Sequence, residues 1–283
     1  MWTVRSVNAY LCKLLRSFDI ENPLIESNLF LQHYLGMDNI ELILNNLEKL
    51  EQSSVDHLIS LVQRRGNGEP IQYIIGKEKF CSLSLKIDDR VLIPRPETEI
   101  LVNKAIIEIK KFKNQKNIQC LDVGTGSGAI AISIAKEIDN INIVATDIST
   151  SALEIARLNV RKYKLNSKIT LKQDNLIESI NFKPDIIVAN LPYIPTNKLN
   201  DLQKEVTWEP IIALDGGLDG LDLISELFKQ LNAKHYTDLI LLLEIDSSQS
   251  VSLRRLVEIY FKKAKINISK DLHGYPRFAL IKI

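Results

Sequence analysis

The sequence predicts an α/β protein, a doubly wound and mainly parallel sheet preceded by a small helical domain. Two observations predict it. From Ile118 onward, the short apolar runs "IQCLDV", "INIVATD", "KITLKQD", "DIIVAN", "LILLLEI", "AKINISK" and "RFALIKI" alternate with helical stretches near 129–136, 151–164 and 249–263. Strands this apolar belong to a sheet covered on both faces. Before residue 75, by contrast, the periodicity is helical. The 283 residues suffice for one large domain and a smaller one. The expected boundaries are a helical domain over 1–75, a hairpin linker over 76–95 and the α/β domain over 96–283.

Taken in order, Val4, Val7, Leu11, Leu14, Leu15 and Phe18 recur at helical spacing and form a core face. The same stretch carries Arg5, Lys13 and Arg16 with no acid before Asp19, a composition shared with transit peptides. The core-face reading explains the spacing as well as the composition. Asn22-Pro23 starts a second helix, proline being tolerated at the first helical position, and Gly36 ends it. Ser53 and Asp56 predict a capping box for a third helix, running to "RRGNG" at 64–68. "KFCSLSLKI" and "RVLIP" read as the two sides of a hairpin or extended arm.

Composition excludes several function classes. With 36 basic and 35 acidic residues, net charge +1, no global field draws the chain to nucleic acid or to a membrane. His33, His57, His235 and His273 lack metal-ligand spacing, so no metal site is expected. Cys12, Cys81 and Cys120 form no CxxC pair and no even set, which suits a reducing cytoplasm. No apolar run is long enough to span a bilayer.

In open α/β sheets, ligands bind at the carboxyl ends of the strands near the switch point. The first such end is "LDVGTGSG", where Gly124, Gly126 and Gly128 let bare backbone approach a ligand, with Thr125 and Ser127 between them. The plainer reading is a tight strand-to-helix turn. A dinucleotide fold places its third glycine one position later, so this tighter spacing favours a ligand without a pyrophosphate. Asp147 ends the second strand, placed to accept from two ribose hydroxyls; capping the next helix is a role that Ser149 or Ser151 can fill. The third ends in Asp174 and Asn175, the first able to accept from an adenine amino group and the second to line the base or a simple polar turn. Together these features resemble the class I S-adenosylmethionine-dependent methyltransferases over roughly 118–283. That resemblance implies a seven-stranded sheet and a cofactor site made by Gly124 to Gly128, Asp147, Asp174, Asn175 and Asn190.

The fourth strand ends in "VANLPYIP". An amide or exocyclic amino nitrogen is a poor nucleophile, because its lone pair is delocalised. Methylating one requires holding it in line and stabilising the charge that develops on it. Asn190 Oδ1 and the main-chain carbonyl of Leu191 supply two acceptors. Pro192 biases Leu191 toward an extended backbone, and Tyr193 can pack flat on a planar group. These four residues are the expected catalytic set. The stretch resembles the Asp/Asn/Ser-x-Pro-aromatic signature of methyltransferases that act on planar NH₂ groups.

"NLPY" alone resembles the ribosomal RNA adenine dimethyltransferases, since glutamine methyltransferases usually carry proline where Leu191 stands. "GEPIQYIIGKEKF", "RVLIPRPETEILV" and "EVTWEPIIALDGGLDGLDL" instead resemble the HemK/PrmC family, the glutamine methyltransferases of peptide chain release factors. The resemblance implies that S-adenosylmethionine methylates the glutamine of the GGQ loop of class 1 release factors, gripped by the helical domain, in the cytoplasm. It also implies that Pro94 and Pro96 stiffen a loop over the cofactor and that Thr98 caps the following helix. Two departures stand out: "NAKHYTDL" replaces a glycine-rich turn before the fifth strand, and Asp246 follows that strand where glycine is commoner. Three readings compete: an RNA or DNA adenine methyltransferase, which lacks its expected basic domain here; a ribosomal-protein glutamine methyltransferase; and a non-catalytic cofactor-binding module.

Overall fold

The computed structural model describes residues 1–112 and 117–283, which divide into two compact units. The first comprises Met1–Gly76 together with Gln203–Trp208. Strand β1 (Trp2–Thr3) leads into helix α1 (Val4–Ser17), followed by α2 (Pro23–Leu35), α3 (Asn39–Leu44), β2 (Lys49–Leu50), α4 (Gln52–Gly66) and α5 (Ile71–Ile75). Thr3 caps α1 in a capping box with Ser6, each side chain bonding the other's backbone N–H. Val4, Val7, Leu11 and Leu15 then pack on Phe30, Leu31, Val55, Leu58 and Val62, so the expected helical face is the core of this unit. Leu14 is partly buried, and Phe18, 37% exposed, lays its ring against Gly66.

Helix α2 begins at Pro23 and ends at Gly36 (φ 69°), a left-handed position that suits glycine. Ser53 does not cap α4. The β1–β2 ladder carries the chain in extended form to Glu51, so the helix starts at Gln52, whose amide bonds Asp56 within the first turn. Arg65, near the end of α4, pairs with Glu26 at 2.8 Å and with Glu205 at 2.9 Å, holding segment 203–208 within this unit. Burial alone would lower the Arg65 guanidinium; the two carboxylates outweigh it and hold it above its ordinary value.

The second unit, Lys77–Leu202 with Glu209–Ile283, opens with a hairpin of β3 (Lys77–Phe80) and β4 (Leu83–Lys86). Here the structure departs from the expected pairing. "KFCSLSLKI" folds back on itself through Cys81 and Ser82, both at positive φ (47° and 62°), a twist that matches a two-residue hairpin without glycine. "RVLIP" is irregular, anchored by the buried Val91 and Ile93. Then follow α6 (Pro96–Ile109), β5 (Ile118–Val123), α7 (Ala129–Glu137), β6 (Ile141–Asp147), α8 (Thr150–Lys162), β7 (Ile169–Gln173), β8 (Ile186–Ala189), α9 (Asp222–Ala233), β9 (Ile240–Glu244), α10 (Ser250–Tyr260), β10 (Lys265–Lys270) and β11 (Pro276–Lys282).

Among the described residues the sheet has seven strands in the order β10-β11-β9-β8-β5-β6-β7. Pairs β5–β6, β6–β7, β5–β8 and β8–β9 are parallel, and β11 runs antiparallel between β9 and β10. Alternation along β5 builds two cores. Ile118 and Cys120 join the cluster under α6 and α7, whereas Leu121 and Val123 join the one under α9 and α10. The winding reverses between β5 and β8, and the crevice at their carboxyl ends is where a ligand belongs. His235 and Asp238, in the turn lacking the expected glycines, adopt positive φ nonetheless (53° and 54°). Among the described residues no helix is long and apolar enough to cross a membrane.

Candidate active site

Gly124, Gly126 and Gly128 all lie at positive φ (74°, 54° and 83°), so glycine is required by the turn itself. Their surroundings differ. A Cβ on Gly126 would meet nothing within 4 Å, so this residue opens onto the crevice. On Gly124 it would sit 3.0 Å from the Leu191 side chain, and on Gly128 it would press on Ile132 and Ala156. Gly128 therefore serves close packing of α7 against α8. Thr125 is buried and donates to Asp122 Oδ2 at 2.6 Å, while the Ala131 N–H donates to the same oxygen at 3.1 Å. Burial pushes the Asp122 carboxyl up to about 7, against the pull of Thr125 and Ala131 and with a further push from Asp147. Ser127 is buried and its carbonyl accepts from Asn159. Thr125, Ser127 and Gly128 thus shape the turn from behind, and Gly124 and Gly126 face the crevice.

The crevice is concave, with mostly apolar walls and a few convergent polar groups, as small-molecule sites are. It brings Gly124, Gly126, Asp147, Asp174, Asn175 and Asn190 together with Leu191 and Pro192. Asp147 is tied to its surroundings by backbone: Oδ2 accepts from the Gly126 N–H at 2.8 Å and Oδ1 from the Ser149 N–H at 2.9 Å. Each oxygen keeps a second lone pair. Burial raises this carboxyl above its ordinary value while those N–H groups oppose the rise. Ser149, not Asp147, caps α8 through Ala152. Asp174 is buried and engages the Ser179 backbone and hydroxyl, the latter at 2.7 Å. Ile148 and Ile212, each more than half exposed, add apolar walls that the sequence reading had not singled out.

Behind Asn190 lies a relay. Its Nδ2 donates to Thr98 Oγ1 at 3.1 Å, and Thr98 donates onward to Glu244 Oε2 at 2.8 Å. Tyr193 donates to the other carboxylate oxygen, Oε1, at 3.3 Å. Burial is the main force raising both the Glu244 carboxyl and the Tyr193 hydroxyl. Thr98 accordingly does not cap α6; Arg95 holds that position with Pro96 at N1, and Thr98 is the third residue, within the first turn. Tyr193 turns its hydroxyl into this network and is not among the residues lining the crevice. Leu191 is buried in the core with Leu121 and Val123, beside Gly124.

The loop after Tyr193 returns to it. Ile194 bridges Asp215, and the Tyr193 carbonyl accepts from Gln249 Nε2 at 2.9 Å. Gln249 is held in turn by Asp246, which caps the short turn at 247–249 in a capping box. This gives the unexpected aspartate after β9 a local role. Glu209, fully buried, accepts from the Ile93 N–H at 3.1 Å and pairs with Arg95. Two segments remote in sequence, "IPRPETE" and "TWEP", are thereby joined.

A parallel sheet reversing at a glycine turn, a strand-end carboxylate locked to that turn and an adjacent Asn-x-Pro-aromatic loop define an S-adenosylmethionine-dependent methyltransferase of class I. The PrmC N-terminal domain family matches residues 8–76 and the methyltransferase small domain family residues 104–213. The release factor glutamine methyltransferase of Rhodopirellula baltica is 34% identical over 282 residues, covering 98% of this chain and 95% of that one. Its counterpart in Buchnera aphidicola subsp. Schizaphis graminum is 37% identical over 276 residues, covering 96% and 97%. The chain belongs to the release factor glutamine methyltransferase family. In fold it is also similar to the hMettl16 catalytic domain solved with a MAT2A 3'UTR hairpin, at TM-score 0.57 and 14% identity, with 82% of each chain covered.

Proposed function

We propose that this protein transfers a methyl group to the side-chain amide nitrogen of the glutamine in the GGQ motif of class 1 peptide chain release factors. S-adenosylmethionine supplies an electrophilic methyl group when bound. The single observation that carries the reading is the presence of Asn190 and Leu191 in the same crevice wall as Gly124, Gly126 and Asp147. Asn190 Oδ1 and the Leu191 carbonyl accept from the substrate amide, orient its nitrogen and stabilise the positive charge that develops there. No general base is required, since a methylated amide nitrogen bearing that charge releases its proton to water. Gly124 and Gly126 offer bare backbone, and Asn175 lines the base.

The family of this chain supports a release factor as the protein partner, and the helical unit is the part that would recognise it. The cysteines, all free, are compatible with a cytoplasmic setting.

Asp147 accepts the ribose hydroxyls with the lone pairs that Gly126 and Ser149 leave. Asp147→Ala weakens cofactor binding by about 1.5–3 kcal/mol, the worth of hydrogen bonds to a charged group. Calorimetry on the folded variant measures it, and unchanged affinity would remove Asp147 from the cofactor site.

Mass spectrometry of release factor and ribosomal proteins after incubation with isotopically labelled cofactor tests the whole reading. One labelled methyl on the GGQ glutamine is expected. Label on a ribosomal protein alone, or only on RNA added to the same incubation, would replace this reading by one of its enzymatic rivals.

A further inference from the structure

Asn190 works as a clamp only if its oxygen, and not its NH₂, faces the substrate. An asparagine amide is nearly symmetric in shape, so packing alone does not choose between its two orientations. The choice needs a neighbour that can do only one thing. Thr98 is that neighbour. Its hydroxyl carries one hydrogen, which goes to Glu244 Oε2 at 2.8 Å; toward Asn190 it can only accept, and it takes the Nδ2 hydrogen at 3.1 Å. Glu244 keeps this polarity because Tyr193 occupies its second oxygen as another donor. A carboxylate with a hydroxyl donor on each oxygen has no reason to donate back. Thr98 and Glu244 are both buried, so water does not compete for either bond. Three segments far apart in sequence, "RPETE", "NLPY" and "LLLEI", supply the three members.

We propose that Thr98 and Glu244 are positioning residues that fix the Asn190 amide with its oxygen toward the crevice. The methyl acceptor is thereby restricted to a nitrogen that brings a hydrogen to that oxygen. The proposal rests on Asn190 acting as the amide clamp. It extends that reading by explaining why threonine stands inside the first turn of α6, where no cap is needed. A carboxylate at the end of β9 is explained by the same relay.

The test is single-turnover methylation of release factor at saturating cofactor by wild type, Thr98→Val, Thr98→Ser, Asn190→Ala and the Asn190→Ala/Thr98→Val double variant. Cofactor affinity and thermal midpoint are measured alongside. Thr98→Val keeps the shape and removes the hydroxyl; the rate falls about tenfold, the worth of roughly one hydrogen bond, with cofactor affinity unchanged. Thr98→Ser restores the hydroxyl and stays within about threefold of wild type. Without Asn190 the valine change costs nothing further, because the amide it orients is gone. If Thr98 merely packs, the pattern inverts: valine is harmless and serine impaired. That inversion, or an equal loss from valine with and without Asn190, would overturn the relay while leaving the clamp intact. A wild-type rate for Asn190→Ala would overturn the clamp and the relay together. Should Thr98→Val not fold, Thr98→Ala reads the same relay: it removes the hydroxyl that takes the Asn190 amide hydrogen, and a rate equal to wild type would refute the proposal.

Discussion

Replacing Asn190 by alanine lowers the single-turnover rate by about two to three powers of ten, the usual cost of losing one group aimed at developing charge. Cofactor affinity and thermal midpoint stay close to wild type. The reasons lie in separate parts of the fold. Strand β8 ends at Ala189, and the buried Leu191 seats the next residue in the core, so the loop keeps its anchor without the amide. Asp147 and the glycine turn are bonded to one another and not to Asn190. Thr98 loses a donor but keeps its bond to Glu244. What disappears is the oxygen proposed to orient the substrate nitrogen. Leu191→Pro is the informative contrast. The carbonyl survives, so the rate changes only a few-fold, while the lost packing beside Gly124 costs stability. Were the asparagine variant fully active and the proline variant dead, the loop would be structural and the clamp mistaken.

Most of the sheet was legible because each apolar run is short, is punctuated by polar or glycine residues and alternates with a helical period. The crevice was legible for the same reason: Gly124, Gly126, Asp147, Asp174, Asn175 and Asn190 all occupy strand ends, and the topology of such sheets says those ends converge. Local rules failed where a distant partner decided the matter. Thr98 near a helix start is a cap by local rules, yet its partners, Asn190 and Glu244, are 92 and 146 positions away. Ser53 has a capping-box pattern, but the pairing of Thr3 with Lys49 across the first unit sets where the helix begins. Tyr193 reads as a flat platform, and the bond from its hydroxyl to Glu244, 51 positions away, is not legible locally. Gly128 shares the spacing of Gly124 and Gly126 but faces Ala156, a difference no pattern of glycines can express. A glycine that faces the crevice and one that packs two helices look alike from sequence.

The glycines of "LDGGLDG" make the second large prediction. Gly220→Ala destabilises the protein by about 2–5 kcal/mol, combining the cost of alanine in the left-handed region with overpacking. Its φ is 78°, and an added Cβ would lie 2.1 Å from the Tyr193 carbonyl oxygen and 2.3 Å from Gln249 Nε2. Neither contact is tolerable, and the first is backbone, so the loop must move. Moving it breaks the Gln249 bond to the Tyr193 carbonyl and shifts the segment that carries Asn190 and Leu191. Rate therefore falls along with stability, by up to about a hundredfold for a displacement near 1 Å. Gly274→Ala is the control. It has nearly the same φ, 86°, but open space where its Cβ would go. That variant costs only the backbone strain, about 1–2 kcal/mol, and leaves methylation at the wild-type rate. Thermal unfolding and single-turnover rates of the two variants separate strain from contact. Equal losses of stability, with methylation intact in both, would mean that the close approach of Gly220 to Tyr193 does not hold the catalytic loop.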